Sequence, residues 1–136
     1  MQARKESSGY WLILGRGEEI ISTISSWAKK EGIEGGTVVG IGGVSEAELG
    51  AYELKSSQYL RKKFSGEYEL ASFVGNINKE GVHAHAVISS HDYAAISGHM
   101  FSGKISLVGE FFVTKTESLE KAPLGVGLLR KIVLGK

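Results

Sequence analysis

A chain of 136 residues carrying 16 Lys and Arg against 15 Asp and Glu has the length of one domain and a net charge of only +1. It contains no cysteine, which excludes a disulfide scaffold, a thiolate metal site and a cysteine nucleophile. The near-neutral balance argues against a dedicated duplex-DNA binder, which needs an excess of cations to neutralise phosphates. No apolar run approaches the roughly 18 residues of a membrane span.

Met1 to Gly9 is polar and charged, so it is expected to be a flexible N-terminus rather than a signal peptide. A cytoplasmic address and a single domain over 10–136 follow as expectations. The nineteen glycines and the single proline, Pro123, punctuate short strands and point to a β-rich core.

Tyr10 to Leu14 reads as a strand closed by Gly15-Arg16-Gly17. From Glu18 to Glu31 the period changes: Ile20, Ile21, Ile24, Trp27 and Ala28 share one helical face. Glu18 and Glu19 stand near the positive end of that helix, Lys29 and Lys30 near the other, and Gly32 stops it. Thr37 to Ile41 is expected to be a buried strand that ends or bulges at Gly42-Gly43. Ala47 to Leu54 and Gln58 to Phe64 read as hairpin arms joined through Lys55-Ser56-Ser57. Further strands are expected over Glu67 to Ile77, Gly81 to Ser89 and Lys104 to Thr116. The apolar tail, Leu124 to Leu134, either returns to the sheet or covers a neighbour. One early helix among about seven strands predicts an α+β domain with a mostly antiparallel sheet, curled towards a barrel or sandwich.

The segment Gly81-Val82-His83-Ala84-His85-Ala86-Val87-Ile88 carries the most chemistry. Strand alternation puts His83 and His85 on one face about 7 Å apart, with Val82, Ala84 and Ala86 on the other. Neutral imidazoles so placed suit Zn²⁺, Cu²⁺ or Ni²⁺, or they serve as surface or hydrogen-bonded histidines. His99 follows a turn around His91-Asp92, at a distance that lets it fold back beside the pair. Three histidines leaving a fourth position open are an arrangement for an exchangeable or catalytic ion, zinc being the expected one. His91 itself reads as a solvated turn residue.

Glu110 stands between Val108 and Phe112 on one face of its strand, with Ile105, Leu107, Phe111 and Val113 on the other. It is a candidate to orient a ligating imidazole or to act as a fourth ligand, the alternative being an exposed sheet face. Arg61, Lys62 and Lys63 form a basic run that alternation divides between two faces, leaving them as candidate nucleic-acid contacts or a solvated strand. Gly40-Ile41-Gly42-Gly43 follows a strand but precedes no helix, so it is no phosphate loop. Ser102, Ser106 and Thr114 lack a recognisable partner base.

Taken together, the blocks resemble the plant and prokaryote conserved (PPC) domain. The resemblance runs from about Tyr10 to Glu117, through the helix, Gly35 to Val44, Ala47 to Tyr52, Leu70 to Ile77, His83-Ala84-His85-Ala86, Gly98-His99 and Gly103 to Phe112. It implies a single domain that assembles as a homotrimer, with His83, His85 and His99 gathering a metal ion. In plants the domain is joined to AT-hooks in nuclear DNA-binding proteins, which implies a DNA-binding or regulatory role. This chain has no Arg-Gly-Arg-Pro hook, so only weak DNA binding is expected of it, and Ser97-Gly98-His99 stands where the family often has Gly-Gly-His. Two other classes stay open: a metal-dependent enzyme with Glu110 as acid or base, and a structural trimer used for interaction.

Overall fold

The computed structural model describes residues 1–135. Eight strands and one helix follow in the order β1 (Gln2–Lys5), β2 (Tyr10–Gly15), α1 (Ile20–Lys30), β3 (Gly36–Glu53), β4 (Gln58–Asn78), β5 (Gly81–Ser89), β6 (Ala95–Lys115), β7 (Glu120–Pro123) and β8 (Arg130–Val133). All strand pairings are antiparallel. The large sheet has the order β1-β2-β6-β3-β4-β5, and β5 also pairs with the start of β6. That extra pairing curls the sheet on itself, the barrel-like closure the strand pattern suggests.

Residues 2–5, expected to be flexible, instead pair with β2, Ala3 opposite Leu12 and Arg4 opposite Trp11. The exposed edge of β2 offers unpaired backbone groups. The Met1 ammonium lies 2.7 Å from a Glu18 carboxylate oxygen, which fastens the end of the chain. The helix begins one residue after Glu19, whose carboxylate caps it by accepting from the backbone N–H groups of Ile21 and Ser22. The same carboxylate accepts from Gly103 N–H at 2.9 Å, tying the helix start to β6. Gly32, at φ +65°, ends the helix as expected.

The two strands expected on either side of Gly42-Gly43 are one, β3, with bulges at Gly40/Gly42 and Val44/Glu46. Gly42 allows the Val108 carbonyl to approach to where a Cβ would stand, 2.4 Å away. The two halves of β4 are likewise continuous through Gly66. Bulges absorb an extra residue without breaking the ladder, which is why the glycines bend these strands rather than end them. Leu107, which alternation groups with Ile105, Phe111 and Val113, is 75% exposed while those three are buried. Between the pairs Gly42–Gly109 and Val44–Ile105, β6 carries more residues than β3, and Leu107 lies at the middle of that bulge while Ile105 and Gly109 on either side stay buried.

The core lies between α1 and the concave side of the sheet. Ile20, Ile24 and Trp27 of the helix are buried together with Leu12, Leu14, Phe73, Ile88, Met100 and Phe111. Phe73 and Phe111 meet edge to face at 5.3 Å. The apolar tail forms a small separate hairpin, β7 with β8, held on the β4–β5 turn. Its anchors are the Lys79–Glu120 and Arg130–Glu80 ion pairs and a hydrogen bond from Lys79 N–H to the Leu119 carbonyl. Among the described residues no helix is long and apolar enough to cross a membrane.

Candidate metal centre

Strand β5 alternates cleanly. Ala84, Ala86 and Ile88 are buried beneath α1, which forces His83 and His85 to the outer face. Small alanines let the helix lie close, and Val82 N–H donates to Ser25 Oγ at 3.0 Å, locking β5 to the helix. Gly81, at φ +116°, makes the tight entry from β4, and Asn78 Oδ1 accepts from Glu80 N–H across that turn.

Past the turn at His91-Asp92 the chain returns as β6, where His99 is the direct cross-strand partner of His85. Ring centroids are 5.0 Å apart for His83–His99 and 5.6 Å for both His83–His85 and His85–His99. One nitrogen from each ring falls within 4.8 Å of the others. Ligands of a tetrahedral ion with bonds of about 2.0–2.1 Å stand roughly 3.3 Å apart. Small side-chain rotations therefore suffice to close the set around an ion.

The donor set fits a borderline cation in a second way. Burial, followed by the charge of Lys121 and then that of His85, holds His83 below the usual imidazole range. Burial, then the neighbouring His83 and His85 and the cations Lys121 and Arg61, pushes His99 down to about 4. Both rings are thus neutral near pH 7, the state that ligates a metal. His99 Nδ1 is buried with no hydrogen-bond partner, a cost of roughly 1–3 kcal/mol for a sealed polar atom. His99 is walled by Tyr59 and Phe101, at 4.9 and 4.5 Å between centroids, and the Arg61 guanidinium stacks on Phe101 at 3.7 Å.

Glu110 is not part of this group. It lies towards the other end of β6 from His99, in register with Ile13 and Ile41 and beside Arg4 and Trp11, and β3 and β4 stand between it and His83 and His85 on β5. Its exposure there is the alternative that the sequence left open. His91 stays outside as well, in an exposed turn 3.4 Å from Glu67. Arg61, Lys62 and Lys63 are exposed on β4, but Arg61 is committed to Glu48 at 2.9 Å, and Lys63 is the cross-strand partner of that same glutamate. Sequence reasoning missed Lys121, which reaches the centre from β7. No local pattern marks it. Tyr59 could have been found, because it shares a face of β4 with Arg61 by simple alternation.

A curled antiparallel sheet with one helix in its concavity and a histidine triad on its convex face defines a recognisable class. The chain belongs to the Plants and Prokaryotes Conserved (PCC) domain family, whose profile matches residues 1–117. It is similar in structure to a Pyrococcus horikoshii PPC protein, at 30% identity and a TM-score of 0.84 over 99% of this chain and 96% of that one. A Bacteroides thetaiotaomicron protein provisionally named as DNA-binding is 26% identical, with a TM-score of 0.91 over 97% and 96% of the two chains. A metal-containing protein of Archaeoglobus fulgidus is 25% identical, with a TM-score of 0.79 over 93% and 92%. No curated protein sequence matches this chain.

Proposed function

We propose that this protein is a homotrimeric PCC-domain module built around one divalent transition ion per chain, zinc by preference, held by His83, His85 and His99. The observation that carries the reading is the convergence of three imidazoles within 4.8 Å on a rigid two-strand frame. The ion would supply Lewis acidity and an exchangeable coordination position. The histidine face of the sheet serves to hold it and to exclude water from His99. That one similar protein is named as metal-containing supports the same reading.

Assembly finds support in an exposed apolar row. Trp11, Phe112, Val39 and Val74 follow one another in cross-strand register and lead directly to His85 and His99. Val39 is 49% and Val74 56% exposed, and Ile41 extends the patch. A lone small domain rarely leaves such a row uncovered.

A DNA-associated role is the second reading. It is supported by the provisional names of the Bacteroides protein and of a Ralstonia eutropha protein 25% identical to this chain. Lys62 and Lys63 would be the contacts, with Arg61 already engaged by Glu48.

Elemental analysis of untagged protein tests the first reading. Wild type is expected to carry roughly one ion per chain, and a His83→Ala, His85→Ala variant that folds normally by circular dichroism should carry none. Equal metal in both would defeat the proposal.

A further inference from the structure

The hairpin formed by β7 and β8 lies beyond the residues matched by the family profile, yet it faces the histidine centre. Between them is an open cleft of about 280 Å³, walled by His83, His99 and Tyr59 and, from the hairpin side, by Lys121, Leu128 and Leu129. The cations here are unevenly matched. Arg130, also at the cleft, is neutralised by Glu80 at 2.8 Å and donates to the Lys121 carbonyl. Lys121 is half-buried, and among the described residues its ammonium has no carboxylate partner. The triad contributes no carboxylate either.

A divalent ion on three neutral ligands, with an unpaired ammonium across the cleft, concentrates positive charge that the protein does not itself offset. Such a site attracts an anion from outside, because the ion and the ammonium both draw negative charge into the cleft. The half-buried apolar surfaces of Leu129 and Tyr59 select against a bare inorganic ion and for an oxyanion that carries a short hydrocarbon body. The cleft volume suits a handful of carbon atoms.

We propose that the hairpin converts the histidine centre into a binding site for a small organic monocarboxylate. Its carboxylate would take the ion's exchangeable position and the Lys121 ammonium, and its apolar body would lie against Leu129 and Tyr59. The inference rests on the metal reading above and adds to it a ligand class and a residue, Lys121, that selects it. The ligand is bound here, and no bond of it is broken.

The test uses full-length protein loaded with Co²⁺, whose visible absorption reports coordination directly. Titration with butyrate should shift the absorption bands saturably, whereas the neutral isostere butyramide should not. Lys121→Gln should weaken butyrate roughly tenfold while still binding one Co²⁺ per chain at saturation, and Lys121→Arg should recover most of the loss. Failure of wild type to take up Co²⁺ at all would overturn the metal reading and this one with it. Normal Co²⁺ bands that ignore butyrate, or that respond equally in Lys121→Gln, would overturn the carboxylate site alone. A stronger response to inorganic phosphate than to butyrate would also overturn it, by removing the role of the apolar walls.

Discussion

His85 on β5 and His99 on β6 are direct cross-strand partners, 5.6 Å apart between ring centroids. The pair that begins the candidate centre is therefore set by backbone register and not by loop conformation. Its geometry should survive loss of the ion, since a sheet ladder on both sides holds each strand.

The metal-free protein should lose stability on acidification. The folded-state pKa of His99 is pushed down to about 4, mainly by burial and then by its cationic neighbours, against about 6.5 in an unfolded chain. Between those values the unfolded chain binds a proton that the folded one refuses. The stability is therefore full above about pH 6.5 and falls as the pH drops towards 4. Because the ring is only half-buried, we expect a loss of about 1–2 kcal/mol. Urea denaturation in EDTA at pH 7.5 and pH 4.5 checks this, and His99→Phe should flatten the difference.

The depressed values also bear on metal retention. Protons compete for His83 and His99 only below the ordinary imidazole range. Bound zinc should accordingly persist at pH 6 and be released nearer pH 5 or below. A competition titration against a chromophoric chelator across that range measures it, and half-release above pH 6.5 would contradict the burial argument.

Gly75 should not tolerate a side chain. A Cβ there would stand 2.5 Å from the His83 carbonyl oxygen and 2.7 Å from the Ala84 Cβ, both on the paired strand. Gly75→Ala must separate β4 from β5 beside the histidines, at a cost of about 1–3 kcal/mol. Thermal unfolding should record the loss, and metal affinity should drop with it.

The apolar row should be an assembly surface. Light scattering of wild type at micromolar concentration is expected to give about three times the chain mass of 14.6 kDa. Val74→Glu places a carboxylate at the middle of the row, directly opposite Val39 and His85. It should yield a folded species of lower mass, because an unpaired charge is costly to bury at an interface. A wild-type monomer would refute the assembly outright.

Duplex DNA should bind weakly. With a net charge of +1 and Arg61 engaged by Glu48, we expect dissociation constants of about 10⁻⁴–10⁻⁶ M at physiological salt, without sequence preference. Fluorescence anisotropy on AT-rich and random duplexes at two salt concentrations decides the matter, and Lys62→Gln with Lys63→Gln should weaken binding further. Nanomolar, sequence-dependent binding would put the DNA reading first.

Local periodicity was enough to reveal the helix, the hairpin at Lys55-Ser56-Ser57 and the shared face of His83 and His85, because periods of 3.6 and 2 are properties of a few consecutive residues. The same rule grouped Leu107 with the buried Ile105 and Phe111, whereas a bulge that only the partner strand reveals leaves it exposed. It also left open whether Glu110 served the histidines or faced solvent. Which residues of a long strand lie near a site depends on strand order and register: Glu110 stands far along β6 from His99, and β3 and β4 separate it from His83 and His85. The N-terminal residues looked unstructured because their stability comes from the edge of β2 and from Glu18, not from their own propensities. Lys121 was invisible for the same reason: it reaches the centre through a hairpin fastened by the Lys79–Glu120 and Arg130–Glu80 pairs. The residue types of the centre were legible in the chain, whereas their company was decided by pairings between residues far apart in it.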